Sequence, residues 1–404
     1  MYSSERGSTL ILVTWILLVM GVIAAFLVYR AEFEWAAASG LEKSMRLKET
    51  AESVLNEKLA LLISDDTEEV DKPGDPWFGE TGQFELDRDG YTIQIVIEDE
   101  GSKPNLNIIK GDSFREMDPE GKVSFDPVWD WRDTDSDPKE ANGAELNYYQ
   151  SLNPPYKPRD GFFSSIEELK AIKDSDQIYP LVAPVMTVYG KYNPNMLKKC
   201  DHVKDTFYAL LLSYGFEKNW AERVALEFQN GPILNFTKID DFLKLSAVTL
   251  DSREKMRPLF KFGEGSYNPN FISKVGLRVI LRDIGRDPDL AVKIINTRKE
   301  QPFENLDSLK NILANNLPKG TSPIEIKDYF TLKSTIIRYR IWVTRDNLKY
   351  YLETVEERVF GKSKKQWKVH PLVWQSFVND DVPEIPQELD IEEDLSSSNG
   401  GETK

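Results

Sequence analysis

The residues best equipped for chemistry are crowded into residues 126–149, DPVWDWRDTDSDPKEANGAELNYY. Asp133, Asp135 and Asp137 alternate along this run, so several carboxylate oxygens can converge within one turn, and Glu140, Asn142 and Glu145 add further oxygen donors. Gly143 permits a tight bend. Hard oxygen ligands in that number suit Ca²⁺, which takes six to eight, better than a transition metal. The spacing is not that of an EF-hand loop, which has Gly at position six and Glu at position twelve. The alternative is an Asp-rich capping turn held by its own hydrogen bonds, with Trp129 and Trp131 anchoring it to a core.

Other chemistries have little material. The 404 residues include two histidines, His202 and His370, and one cysteine, Cys200. A His-based triad, a multi-His metal site and an internal disulfide therefore fall away, and only carboxylate catalysis stays formally open. The chain is read as a non-enzyme. A net charge of -16 argues against a broad nucleic-acid surface, which draws on clustered Lys and Arg.

An element of another kind must position these residues. From Ser8 to Tyr29 no residue is charged, long enough for a helix to span the roughly 30 Å hydrocarbon of a bilayer. Past Tyr29 no proline occurs before Pro73, and Leu47, Ala51, Val54, Leu55, Leu59 and Leu62 recur at spacings of three and four, predicting one helix over residues 8–64 with an apolar face toward a soluble body. Gln83 to Leu86 and Tyr91 to Ile97 flank the turn DRDG and read as a hairpin, and the alternation of Ile337, Tyr339, Ile341 and Val343 predicts a strand paired with residues 348–359. Strands from both ends of the chain imply an interrupted α+β fold: a long N-terminal helix packed on an antiparallel sheet, with a large α-helical insertion. The expected partition is 1–7 leader, 8–29 transmembrane segment, 30–111 and 324–379 core, 112–323 insertion, and 380–404 a disordered acidic tail.

The insertion carries a repeat. FSSIEELKAI at Phe163, FTKIDDFLKL at Phe236 and FENLDSLKNI at Phe303 share their apolar spacing, and YNPN recurs at Tyr192 and Tyr267. These stretches resemble helix-hairpin-helix units, a fold that often binds DNA through backbone amides. Here Arg286-Asp287-Pro288-Asp289 follows Gly285, so carboxylates sit where phosphates would approach, and the hairpins are read as packing and protein-contact modules.

The Arg6-Gly7 step, the small residue at Ser8 and the apolar helix resemble the leader of type IV pilins and type II secretion pseudopilins. WRDTDSDPKEANGAELNYY, with KPNLNI at Lys103 ahead of it and TVYGKYNPN at Thr187 behind, is similar to the signature of the K-type minor pseudopilins of type II secretion. The YNPN phrases depart from that family's usual Asn-Ile-Asn. The resemblance implies cleavage between Gly7 and Ser8 by prepilin peptidase and N-methylation of Ser8. It makes Leu12, where most pseudopilins carry Glu, a determinant of the filament tip. It also implies Ca²⁺ held by Asp133, Asp135, Asp137, Glu140 and Glu145.

The function so implied is a minor pseudopilin at the tip of the type II secretion pseudopilus, single-pass in the bacterial inner membrane with a large periplasmic body. Its expected partners are other minor pseudopilins, the peptidase and the inner-membrane secretion machinery, and no nucleic acid. The main alternative is a membrane-anchored DNA-binding protein of DNA uptake. A secreted carboxylate enzyme, with a cleaved signal and a mature start near Ser39, is the other rival.

Overall fold

A computed structural model describes residues 5–385 apart from 66, 68, 232–234, 315–325 and 360–367. The first helix, α1, runs unbroken over Glu5–Ser64. Its first half is apolar and exposed, whereas Leu47, Ala51, Val54, Leu55 and Leu62 are buried, as the spacing predicts, and Leu59 of the same stripe is half-buried. Each large side chain so buried contributes roughly 1.5–3 kcal/mol.

They pack on a sheet of five antiparallel strands in the order β1 to β5. These are β1 (Gln83–Arg88), β2 (Tyr91–Asp99), β3 (Ile336–Arg345), β4 (Leu348–Val359) and β5 (Lys368–Val378). Tyr91, Ile93, Ile95 and Ile97 share the α1 face with Ile337, Tyr339, Ile341 and Val343. Periodicity predicts four of the strands, and β5 is new. Asn379–Asp381 form a short turn of 3-10 helix, and Trp342 Nε1 donates to Pro383 O at 2.9 Å. The expected tail is thus structured up to residue 385, and residues 386–404 lie outside the described part, as do the leader residues 1–4.

Among the described residues, ten α-helices lie between β2 and β3. In order they are α2 (Asp126–Arg132), α3 (Leu146–Gln150), α4 (Ser175–Val182), α5 (Pro194–Leu197), α6 (Val203–Ser213), α7 (Lys218–Asn230), α8 (Leu250–Met256), α9 (Lys274–Asp283), α10 (Leu290–Glu300) and α11 (Asp307–Ala314). They form two further apolar cores, one around Trp131 and Tyr149, the other around Phe207, Phe228 and Phe242. The first two Phe-led runs close as 3-10 turns instead of α-helices.

One device recurs three times between β2 and β3, mostly in the turns and loops that flank these helices. Asn107 donates Nδ2 to Phe163 O (3.0 Å) and accepts Phe163 N at Oδ1 (2.7 Å). Asn195 makes the same pair with Phe236 (3.1 and 2.8 Å), and Asn270 with Phe303 (3.0 and 2.8 Å). Each clamp is preset by an Asn two residues earlier: Asn105, Asn193 or Asn268 accepts the next Asn's backbone N–H at 2.9, 2.9 or 3.0 Å. A side-chain amide copying a strand neighbour satisfies both backbone groups of a buried Phe, which would otherwise be orphaned. The Asn-x-Asn of KPNLNI is therefore the first member of a set of which YNPN are the second and third.

Because both Phe303 groups lose their partner together, Asn270→Ala is expected to lower unfolding stability by about 2–4 kcal/mol in urea titration. Exposed Asn142→Ala should change it by less than about 0.5 kcal/mol.

Candidate functional site

Helix α2 ends at Arg132, and the acidic turn follows at once. Trp129 and Trp131 are both buried. Arg132's guanidinium lies 3.7 Å over the Trp129 ring, and Trp131 meets Tyr149 edge-on at 5.3 Å. The turn therefore hangs from a rigid aromatic base, as the capping reading requires. Its clasp is Asp130, fully buried, which accepts the backbone N–H groups of Lys139 (2.9 Å) and Ala144. Gly143 fits under that clasp because it lacks a Cβ, which would lie 2.3 Å from Asp130 Oδ2.

The clasp draws Asp133, Asp135 and Glu145 together, with one carboxylate oxygen of each within 4.8 Å of the others. Asp137 and Glu140 are not in this group. The backbone N–H of Asp137 donates to Asp135 Oδ1 at 2.9 Å, which ties its main chain to the turn, and Glu140 sits exposed in the left-handed region (φ 53°). Alternation along the chain places Asp135 and Asp137 in sequence, but the Asx turn between them points the chain elsewhere.

Two oxygens of the trio are unusual. Asp133 Oδ1 and Glu145 Oε1 are buried without a hydrogen-bond partner, a costly state for carboxylates. Burial, reinforced by Asp135 and Asp130, pushes Asp133 up to about 7. Burial, with Asp130, Asp133 and Asp160, pushes Glu145 up to about 8. Asp160, from a separate loop, thus adds to the field, and neither it nor Asp130 stands out from sequence spacing. Vacant hard oxygens with mutually repelling charges fit a divalent cation of the Ca²⁺ type, with carbonyls and water completing the shell. A second acidic trio, Asp65, Asp71 and Asp75, is already served by a cation: Arg358 pairs with Asp71 at 2.8 Å and Asp65 at 3.5 Å.

The other sequence-derived residues lie along α1. Gly7 and Ser8 fall within its first turns, and Leu12 is exposed on the apolar half. At the α9–α10 turn, Gly285 adopts φ +69°, and Asp287 Oδ1 accepts Asp289 N at 3.0 Å. The arginines of α9 are engaged by acids: Arg278 with Glu116 and Asp289, Arg282 with Glu116 and Asp112.

Asp133 and Glu145 hold their protons more tightly folded than unfolded. Their contribution to stability is present below about pH 4 and is lost as pH rises through about 7 and 8. In chelator, the melting temperature should therefore fall from about pH 5 to about pH 8.5, and Glu145→Gln should flatten the fall.

Residues 117–191, which contain the turn and its clasp, match the family model described as Type II secretion system (T2SS), protein K. Type II secretion system protein K of Pseudomonas aeruginosa is 26% identical over 225 residues, covering 48% of this chain and 65% of that protein. The chain thus spans just under two thirds of that relative. The Aeromonas hydrophila protein of the same name is 26% identical over 243 residues, covering 53% of this chain and 72% of its own length. A solved GspK-GspI-GspJ complex from the enterotoxigenic Escherichia coli type 2 secretion system contains a chain similar at 12% identity and a TM-score of 0.47, over 84% of this chain and 99% of that one. The matched domain and both relatives carry one description, type II secretion system protein K, and this chain is similar to them over those stretches.

Proposed function

We propose that this chain is a minor pseudopilin that starts or caps the type II secretion pseudopilus from its tip. The observation that carries the reading is the division of α1. One unbroken helix offers an exposed apolar half suited to a bilayer, then continues as the central support of a folded body. A subunit built this way can bundle its first half with like helices while its body stands outside the membrane.

Two features suit the tip. Leu12 gives no carboxylate to pair with the amine of a subunit added above, and the inserted helices would obstruct a neighbour on that side. Growth then proceeds from below. In the same reading, cleavage after Gly7 frees Ser8 for N-methylation, and the inner membrane holds the helix with the body in the periplasm. Ca²⁺ held by Asp133, Asp135 and Glu145 would supply the charge that the turn's buried carboxylates lack. The DNA-receptor alternative is disfavoured by the engagement of Arg278 and Arg282 with acids.

The N-terminus of the mature membrane protein should be N-methylated Ser8, by intact-mass measurement; a start near Ser39 would overturn the pseudopilin reading. Leu12→Glu alone should leave the chain out of the filament shaft, and its appearance along the shaft would remove the steric explanation. Calcium titration calorimetry should give binding heat that Glu145→Gln and Asp133→Asn abolish and Glu140→Gln preserves.

A further inference from the structure

The two edges of the sheet differ in character. β1 carries Glu85, Asp87 and Arg88, charges that deter further pairing. The first half of β5 is also blunted, by Lys368, His370, Pro371 and a register shift opposite Val355 and Glu356. Residues 373–378, VWQSFV, have none of these protections, and Trp374, Phe377 and Val378 are exposed. Six uncharged residues on an edge, four of them (Val373, Trp374, Phe377 and Val378) of high strand propensity, make a template for another chain. Among the described residues, nothing pairs with that edge.

Two occupants are disfavoured by geometry. The chain following β5 turns away from the edge: Val382 packs with Val96, Trp342 and Tyr351, and Pro383 accepts from Trp342 on β3. Residues beyond 385 therefore start from the interior of the sheet. A second copy would meet this edge in the antiparallel, two-fold arrangement of an isologous contact. That rotation, about the sheet normal, reverses any direction lying in the sheet plane. Since α1 packs across the sheet face, the two apolar half-helices would point into opposite membranes.

A strand from a different chain carries no such symmetry. Resting on the pseudopilin reading above, we propose that residues 373–378 accept an added strand from another subunit anchored in the same bilayer. Main-chain hydrogen bonds would give the affinity, and apolar side chains set against Trp374 and Phe377 the register. The added segment carries no charge along its contact with this edge.

The test uses the full chain in its native membrane, with photoreactive benzoylphenylalanine in place of Trp374 or, separately, of Leu18 in the apolar half of α1. Both probes should give adducts with other pseudopilins of the same secretion system, identified by mass spectrometry. Ser376→Lys should abolish the adduct at 374 and keep the one at 18. An adduct at 18 with none at 374, or a 374 adduct to residues 386–404 of the same chain or to a second copy, overturns the added strand and leaves the pseudopilin reading intact. Absence of adducts at both positions sinks the two together.

Discussion

Everything in this architecture depends on closing a long excursion: the chain leaves the sheet at Asp99 and returns at Ile336. The closure is a buried polar junction. Asp99 Oδ2 accepts the hydroxyls of Ser102, on the way out, and Ser334, on the way back, both at 2.5 Å. Asp71 accepts Ser334 N at 2.6 Å and pairs with the fully buried Arg358 of β4, while its carbonyl receives Asn268 and Asn270. Alongside, Glu100 is bound by Arg338 and Lys103; burial opposes its charge, but those two cations hold its carboxyl well below the usual range. Removing one partner from such a set strands a buried charge, at about 3–5 kcal/mol. An apolar junction would cost less to form, but it would not dictate which strand ends meet.

The same economy explains the three asparagine clamps. Each returns a Phe-led run to the start of its own unit, and the separations they close are 56, 41 and 33 residues. The longest is the first, and the acidic turn lies inside it. The unit can carry an extra loop because the clamp, Trp131 and Asp130 fix the frame around it.

Legibility followed how local the cause was. The α1 stripe and the alternation of β2 and β3 are properties of single segments, and their burial follows the pattern closely, Leu59 being half-buried and Val96 and Trp342 being buried on the opposite face of the sheet. β5 is an edge strand with exposed residues on both faces and Pro371 within it, so no period marks it. The run of acids was visible, but which of them converge was not. That is decided by Asp130 binding two backbone amides of the loop and by the Asx turn at Asp135, both of which depend on the path of the chain. Asp160 and Arg358 act on groups far away in sequence, so spacing carries no trace of them.

Leu12 and the bare edge of β5 raise the same question about how this chain meets its neighbours. A carboxylate in the apolar half of α1 would need a cationic partner on another subunit, because an isolated charge in hydrocarbon is expensive. With leucine there, the helix has no such requirement, and its lateral contacts rest on packing, which specifies a neighbour weakly. Specificity must then come from the soluble body. There the charged β1 edge and the blunted start of β5 are poor templates for pairing, and among the described residues 373–378 are the stretch of sheet edge without a repelling charge. On the proposed reading, selection of neighbours would shift from the membrane to the sheet, where hydrogen-bond register can enforce it.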